Sequence, residues 1–292
     1  MTDTSNPIQK YTDLDLDKAY SKAIKFAKDH YENFPVVSFL VPANFKKHVA
    51  IIYWFARSAD DLADEGKYTV DERLSKLDMF ETRLTELLKG NYRNSYEYVL
   101  NSTIRSKKLT SDLFYNLIKA FKQDVTKKRY VSFNELLNYC ENSANPIGRL
   151  ILELNNIRSD KAFYYSDKIC TALQLTNFWQ DSEIDYKKGR IYYPIEDMEK
   201  FNVTEKMFEL KENNLKLKEL VRYNVEKTHS LFVEGKSLIP FLKGRLKYEI
   251  KWTIEGGEAV LNKIKKNDFN VFLIRPKLTK IDFLKLLLKA IP

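Results

Sequence analysis

The chain is poor in the residues that staple or punctuate a fold. Two cysteines, Cys140 and Cys170, in 292 residues exclude a disulfide scaffold, and they do not have metal-ligand spacing. Eight glycines and eight prolines argue against a protein of short strands and tight turns. No apolar run reaches the ~18 residues that a membrane-spanning helix needs. Residues 1–9 are polar and lack the apolar stretch of a signal peptide, so a cytoplasmic location is expected. No nucleic-acid-binding signature is present, and no G-x-G-x-x-G string marks a dinucleotide site.

The chain is rich in core material instead. Hydrophobic residues make up 44% of it, with 18 Phe and 18 Tyr. Leu, Ala, Glu and Lys recur at helical spacings, so the expected class is all-α. The net charge of +9 admits acidic partners: nucleic acid, anionic lipid or a phosphorylated substrate. Many lysines lie in mixed-charge segments such as 206–218, which also read as solvated surface.

Residues 1–12 look like a flexible arm and 13–292 like one all-α domain without internal repeats. Helices are expected near 14–30, 45–65, 70–89, 94–106 and 110–124, then near 133–154, 160–186, 204–233, 236–265 and 280–290. Gly66 is the stop signal for the second. The 133–154 helix would carry Asn145, Pro146 and Gly148 in its interior, where Pro removes a donor and Gly weakens the helix.

Two acidic clusters carry the chemistry. The first is Asp60-Asp61-Leu62-Ala63-Asp64, at the end of a helix whose apolar face includes Val49, Ile52, Tyr53 and Ala56. The second sets Asn177, Asp181 and Asp185 at steps of four, with Gln174 three residues before them. Carboxylates one turn apart repel, by roughly 0.2–0.5 kcal/mol per pair. An acidic pair on a helix is usually solvated surface. Here both clusters lie among apolar and aromatic residues, with bases close by: Arg57 before the first, Lys187, Lys188 and Arg190 after the second. That combination suits divalent cations that clamp a diphosphate. Mg²⁺ takes one or two carboxylates and completes its shell with phosphate and water, so two or three ions are expected. Arg57 and Arg190 have the planar fork that suits phosphate, and Arg57 can also pair with Asp61. His30, Tyr31 and Asn33 read equally well as helix-end residues.

Together these residues resemble the squalene/phytoene synthase family, over about residues 30–276. The strings are Asp60-Asp61-x-x-Asp64-Glu65, Asn177-x-x-x-Asp181-x-x-x-Asp185 and Gly189-Arg190-Ile191-Tyr192-Tyr193-Pro194, with Tyr139-Cys140 between the two acidic motifs. Within the family the chain is most similar to the bacterial hydroxysqualene synthases of the hopanoid pathway. The strings that point there are His30-Tyr31-Glu32-Asn33-Phe34-Pro35-Val36, Ser143-Ala144-Asn145-Pro146-Ile147-Gly148-Arg149 and Leu173-Gln174-Leu175-Thr176-Asn177-Phe178-Trp179-Gln180-Asp181. Squalene and phytoene synthases more commonly carry Val and Gly where Ser143 and Asn145 stand.

The resemblance implies an isoprenoid-synthase helical bundle around a central apolar cavity. It implies Mg²⁺-assisted loss of diphosphate from presqualene diphosphate, capture of the cation by water to give hydroxysqualene, and no need for NAD(P)H. Asp60, Asp61, Asp64, Asn177, Asp181 and Asp185 would hold the metal. Arg57, Arg190, His30, Asn33 and Arg275 would bind diphosphate, and the family's C-terminal Tyr has no secure equivalent. Tyr139 would act at the cavity, lined by Phe34, Tyr53, Ala144, Gly148, Gln174 and Phe178. Asn145 and Ser143 are expected to hold the quenching water. The alternatives are a synthase that condenses farnesyl or geranylgeranyl diphosphate head to head, or a basic helical module that binds lipid or nucleic acid without catalysis. The lysine-interrupted apolar stretch 280–289 would suit peripheral contact with an anionic membrane, or ordinary docking onto the core. No nucleic-acid partner is expected, and the oligomeric state is left open.

Overall fold

The computed structural model describes residues 12–29, 43–210, 214–279 and 282. His30, Asn33 and Phe34 lie outside the described residues, as do 1–11 of the expected arm and all of the 280–290 segment but Asp282. Helices are the only regular elements among the described residues, with no strand among them. They group into two compact units, 1–125 with 153–156, and 126–152 with 157–292.

The first unit holds α1 (Asp13–Asp29), α2 (Ala43–Asp64), α3 (Val70–Lys89), α4 (Ser95–Lys107) and α5 (Asp112–Thr126). α1 packs along α2 and α4. Ala19, Ala23 and Ala27 form a buried stripe at steps of four, and their small side chains allow close helix approach. α3 starts at a capping box. The Thr69 hydroxyl accepts from the Glu72 N–H at 3.3 Å, and the Glu72 carboxylate accepts from the Thr69 N–H at 2.7 Å.

The second unit holds α6 (Phe133–Ser143), α7 (Asn145–Leu154), α8 (Asp160–Gln180), α9 (Ser182–Lys187), α10 (Ile195–Lys200), α11 (Glu205–Leu210), α12 (Leu215–Gly235) and α13 (Gly244–Lys266). A 3₁₀ segment, Lys236–Phe241, joins α12 to α13. α8 is its axis and packs against α12, α13 and α6. Its burial runs right around the helix, from Ala162 and Ile169 to Ala172, Thr176 and Trp179, as befits a central helix. Trp179 Nε1 donates to Thr228 Oγ1 at 2.7 Å and ties α8 to α12.

Four expected helices are divided, the 236–265 helix into the 3₁₀ segment Lys236–Phe241 and α13. The 133–154 helix breaks at Ala144, so Asn145 and Pro146 open α7 instead of sitting mid-helix. Pro is well tolerated in a first turn, where its missing N–H costs nothing. The 160–186 helix breaks at Asp181, which separates α8 from α9. The 204–233 helix is split into α11 and α12.

Candidate active site

The first acidic motif is fixed from beneath. Ala59 and Ala63, one turn apart on α2, are buried against Leu77 and Val125. That burial turns Asp60 and Asp61 to the accessible side, where their side chains keep 39% and 37% of their exposure. Arg57 lies one turn earlier. Its Nη1 donates to Asp60 at 3.1 Å, and its Nε pairs with Asp61 at 2.8 Å. The guanidinium thereby offsets the repulsion between the neighbouring carboxylates. Arg73, on α3, donates to the Ala63 carbonyl at 2.8 Å, Glu65 at 3.0 Å and Gly66 at 2.8 Å. It caps the end of α2 and holds the turn after Asp64. Tyr53, a predicted cavity residue, is half-buried on α2 with its ring 6.2 Å from Phe26.

The second motif straddles the break between α8 and α9. The Asp181 N–H donates to the Asn177 carbonyl at 2.8 Å, and the Asp185 N–H to the Asp181 carbonyl at 2.9 Å. The first bond closes the last turn of α8 and the second opens the first turn of α9, on either side of Asp181. Asn177 is exposed, while Asp181 and Asp185 are half-buried. Ser182 stabilises the break: its hydroxyl donates to a carbonyl of the preceding turn and lies 2.9 Å from the Tyr193 hydroxyl. Burial raises the pKa of Tyr193, so its hydroxyl stays protonated.

Arg190 is placed by the turn that closes α9. Gly189 adopts φ +76°, and the Arg190 N–H returns to the Asp185 carbonyl at 2.8 Å. Arg129 clamps this turn, donating to the Gly189 carbonyl at 2.7 Å while gripping Glu205 with both prongs at 2.7 Å. Asp185, Arg190, Phe178 and Tyr192 line one small pocket. Phe178 and Tyr192 stack face to face, 3.6 Å apart and 4° from parallel. Tyr139 is buried behind them, with ring centroids 6.1 Å and 6.3 Å away. Arg275, expected to bind diphosphate, grips both oxygens of Asp181.

The break between α6 and α7 gathers the third group. Ser143 Oγ is buried and makes no hydrogen bond among the described residues. Asn145 is buried, and its Oδ1 accepts from Thr171 Oγ1 on α8 at 3.0 Å. Ala144 and Gln174 are half-buried. α7 and α8 approach closely at Gly148: a Cβ there would lie 2.4 Å from Ser166 Oγ and 2.5 Å from Cys170 Sγ. Burial pushes the Cys170 thiol up to about 12, so it is protonated and inert at neutral pH.

Among the described residues, no three carboxylate, His or Cys side chains form a ready-made metal cluster. The donors of both motifs nevertheless fit a hard divalent cation. They are oxygens only and partly accessible, and Mg²⁺ asks for one or two carboxylates when phosphate and water supply the rest.

Sequence reasoning missed Arg73, Arg129 and Thr171. The two arginines reach backbone carbonyls up to 60 residues away, which leaves no local signal. Arg129 also sits in a Lys-Lys-Arg run that reads as surface. Thr171 lies on the stripe that continues through Gln174 and Phe178 to Asp181, at steps of three and four, and that spacing was the available clue.

The squalene/phytoene synthase family model matches residues 27–282. A hydroxysqualene synthase from Sinorhizobium fredii is 28% identical over 239 residues, covering 81% of this chain and 80% of the relative. One from Rhodopseudomonas palustris is 30% identical over 214 residues, covering 73% and 72%. The crystal structure of squalene synthase HpnC from Alicyclobacillus acidocaldarius superposes with a TM-score of 0.83 at 33% identity, covering 88% of this chain and 97% of that one.

Proposed function

The chain belongs to the squalene/phytoene synthase family, and we propose that within it the chain converts presqualene diphosphate to hydroxysqualene. The overall change is replacement of the diphosphate by a hydroxyl from water. The C–O bond to diphosphate breaks with its electron pair, the cyclopropylcarbinyl cation rearranges as a ring C–C bond migrates and the ring opens, a water lone pair forms the new C–O bond to the rearranged cation, and the surplus proton passes to the released diphosphate.

Asp60, Asp61, Asp64, Asn177, Asp181 and Asp185 are the residues that would hold Mg²⁺. When bound, Mg²⁺ neutralises charge on the leaving diphosphate. Arg57 and Arg190 bind diphosphate oxygens, and Arg275 joins them by letting go of Asp181. The packed rings of Tyr139, Phe178 and Tyr192 present π faces, which favour a passing cation, and exclude bulk water from it.

The observation that carries the product assignment is the broken helix. The Ser143 hydroxyl is buried without a hydrogen-bond partner among the described residues, two residues from the buried amide of Asn145. An orphaned buried hydroxyl calls for a water or ligand group to satisfy it. Ser143 and Asn145 hold that water, and the Val and Gly more common at these positions in the family have no group to do so. The hydroxysqualene synthases among the relatives favour the same product.

No helix among the described residues is long and apolar enough to cross a membrane. Access to an apolar substrate comes from peripheral contact of the 280–289 stretch with an anionic membrane. Equal liposome binding with and without residues 278–292 would rule out that contact.

The test of function is incubation with farnesyl diphosphate and, separately, presqualene diphosphate, each with Mg²⁺ and without NADPH, followed by mass analysis. Conversion of presqualene diphosphate to an alcohol is expected. Conversion of farnesyl diphosphate alone would identify a condensing enzyme instead, and no turnover of either would favour a binding module. Asn145→Gly should give less alcohol and more hydrocarbon formed by proton loss.

A further inference from the structure

We infer that Thr171 is a positioning residue that sets the amide of Asn145 for water capture. The inference rests on the product assignment just proposed. Both side chains are about 5% exposed, one on α8 and the other on the first turn of α7. The Thr171 hydroxyl has one proton, and it goes to Asn145 Oδ1 at 3.0 Å. This bond has two consequences for the amide.

First, the bond fixes which way the amide faces. With Oδ1 accepting from Thr171, the –NH₂ group keeps its donors for other partners. A water accepting from it keeps a second lone pair for the carbocation. A flipped amide would present its oxygen there and compete with that water for the cation. Second, the bond joins the α6–α7 break to α8. Thr171 begins the stripe that runs through Gln174 and Phe178 to Asp181, so the water-holding group is indexed to the helix that carries the second acidic motif. Gly148 permits the close helix contact that makes the bond possible: any larger residue would meet Ser166 Oγ and Cys170 Sγ at 2.4–2.5 Å.

Thr171→Val keeps the shape and removes the hydroxyl, and Thr171→Ser keeps the hydroxyl. The full chain is given presqualene diphosphate and Mg²⁺, stopped at low conversion, and the alcohol-to-hydrocarbon ratio is measured beside the rate of substrate loss. Thr171→Val should lower that ratio by about 2- to 10-fold, the worth of one hydrogen bond. Substrate loss should continue at the wild-type rate, and Thr171→Ser should restore the ratio. In the Thr171→Val/Asn145→Gly double variant the ratio should match that of Asn145→Gly alone, because both act on one group. If Thr171→Val fails to fold, Thr171→Ala carries the same comparison. A wild-type ratio in the hydroxyl-less variant, with Asn145→Gly still shifting it, overturns the role of Thr171. A wild-type ratio in Asn145→Gly as well overturns the water-capture assignment itself.

Discussion

Arg275 and Asp181, 94 residues apart in sequence, are joined by a two-pronged ion pair, with Nη2 to Oδ2 at 3.0 Å and Nε on Oδ1. Beside it, the Gln180 amide donates to the Pro276 carbonyl, so the segment after α13 is pinned to the end of α8. Arg275 therefore offsets the charge of Asp181. A cation held by Asp181 would have to share it with Arg275 or displace the guanidinium, which would then be available to diphosphate. Arg275→Gln should lower turnover of presqualene diphosphate by about 10- to 100-fold, the value of a charge-assisted pair. Arg275→Lys should recover only part of it, lacking the planar fork. Steady-state kinetics of both variants give the answer, and wild-type turnover in Arg275→Gln would remove this residue from the site.

The paired replacement Asp60→Asn with Asp181→Asn tests the acidic motifs. Turnover should fall by at least ~100-fold at any Mg²⁺ concentration, because the charge on the leaving group is no longer offset. Helix content should stay near wild type, since Ala59 and Ala63 anchor α2 independently of Asp60 and Asp181 lies at a helix end rather than in a helix interior. Circular dichroism and a Mg²⁺ titration of activity check both halves.

Gly148→Ala should destabilise the second unit. The new methyl would meet Ser166 Oγ and Cys170 Sγ well inside van der Waals distance. Overpacking of this kind costs about 1–3 kcal/mol. The midpoint of urea unfolding reads the change, and an unaltered midpoint would mean that α7 and α8 can part without cost.

His48 makes the first unit sensitive to acid. Burial first, then Lys107 and Lys47, push its pKa from 6.5 down to about 4. The imidazole lies in a buried group with the Thr103 hydroxyl at 3.0 Å and the Tyr20 hydroxyl at 3.4 Å from Nδ1. The unfolded chain takes up a proton near pH 6.5 that the folded state refuses until about pH 4. This contribution to stability is therefore full above pH 6.5 and drains away as pH falls towards 4. It amounts to roughly 2 kcal/mol between pH 7 and pH 5. Denaturant unfolding at the two pH values should show that loss in the wild type and a smaller one in His48→Gln.

The acidic motifs, the all-α class and the order of the helices up to α5 were legible in the sequence. They depend on periodicity, on local caps such as Thr69, and on carboxylate spacing along one helix, all of which act over a few residues. Tertiary structure alone decided who neutralises whom. Arg275 reaches Asp181, Arg129 holds the Gly189 turn and Thr171 orients Asn145 across 26 to 94 residues of chain. The break at Ala144 was foreshadowed by Pro146 and Gly148, which weaken a helix interior. The break at Asp181 was hidden for a related reason: no Pro or Gly marks it, and it is held by the contacts of Ser182 with the preceding turn and with Tyr193. The sequence by itself determined which chemical groups are available, because identity and local spacing are written in the chain. Their orientation was settled by burial, where each polar group must find a partner or, as Ser143 does among the described residues, remain without one.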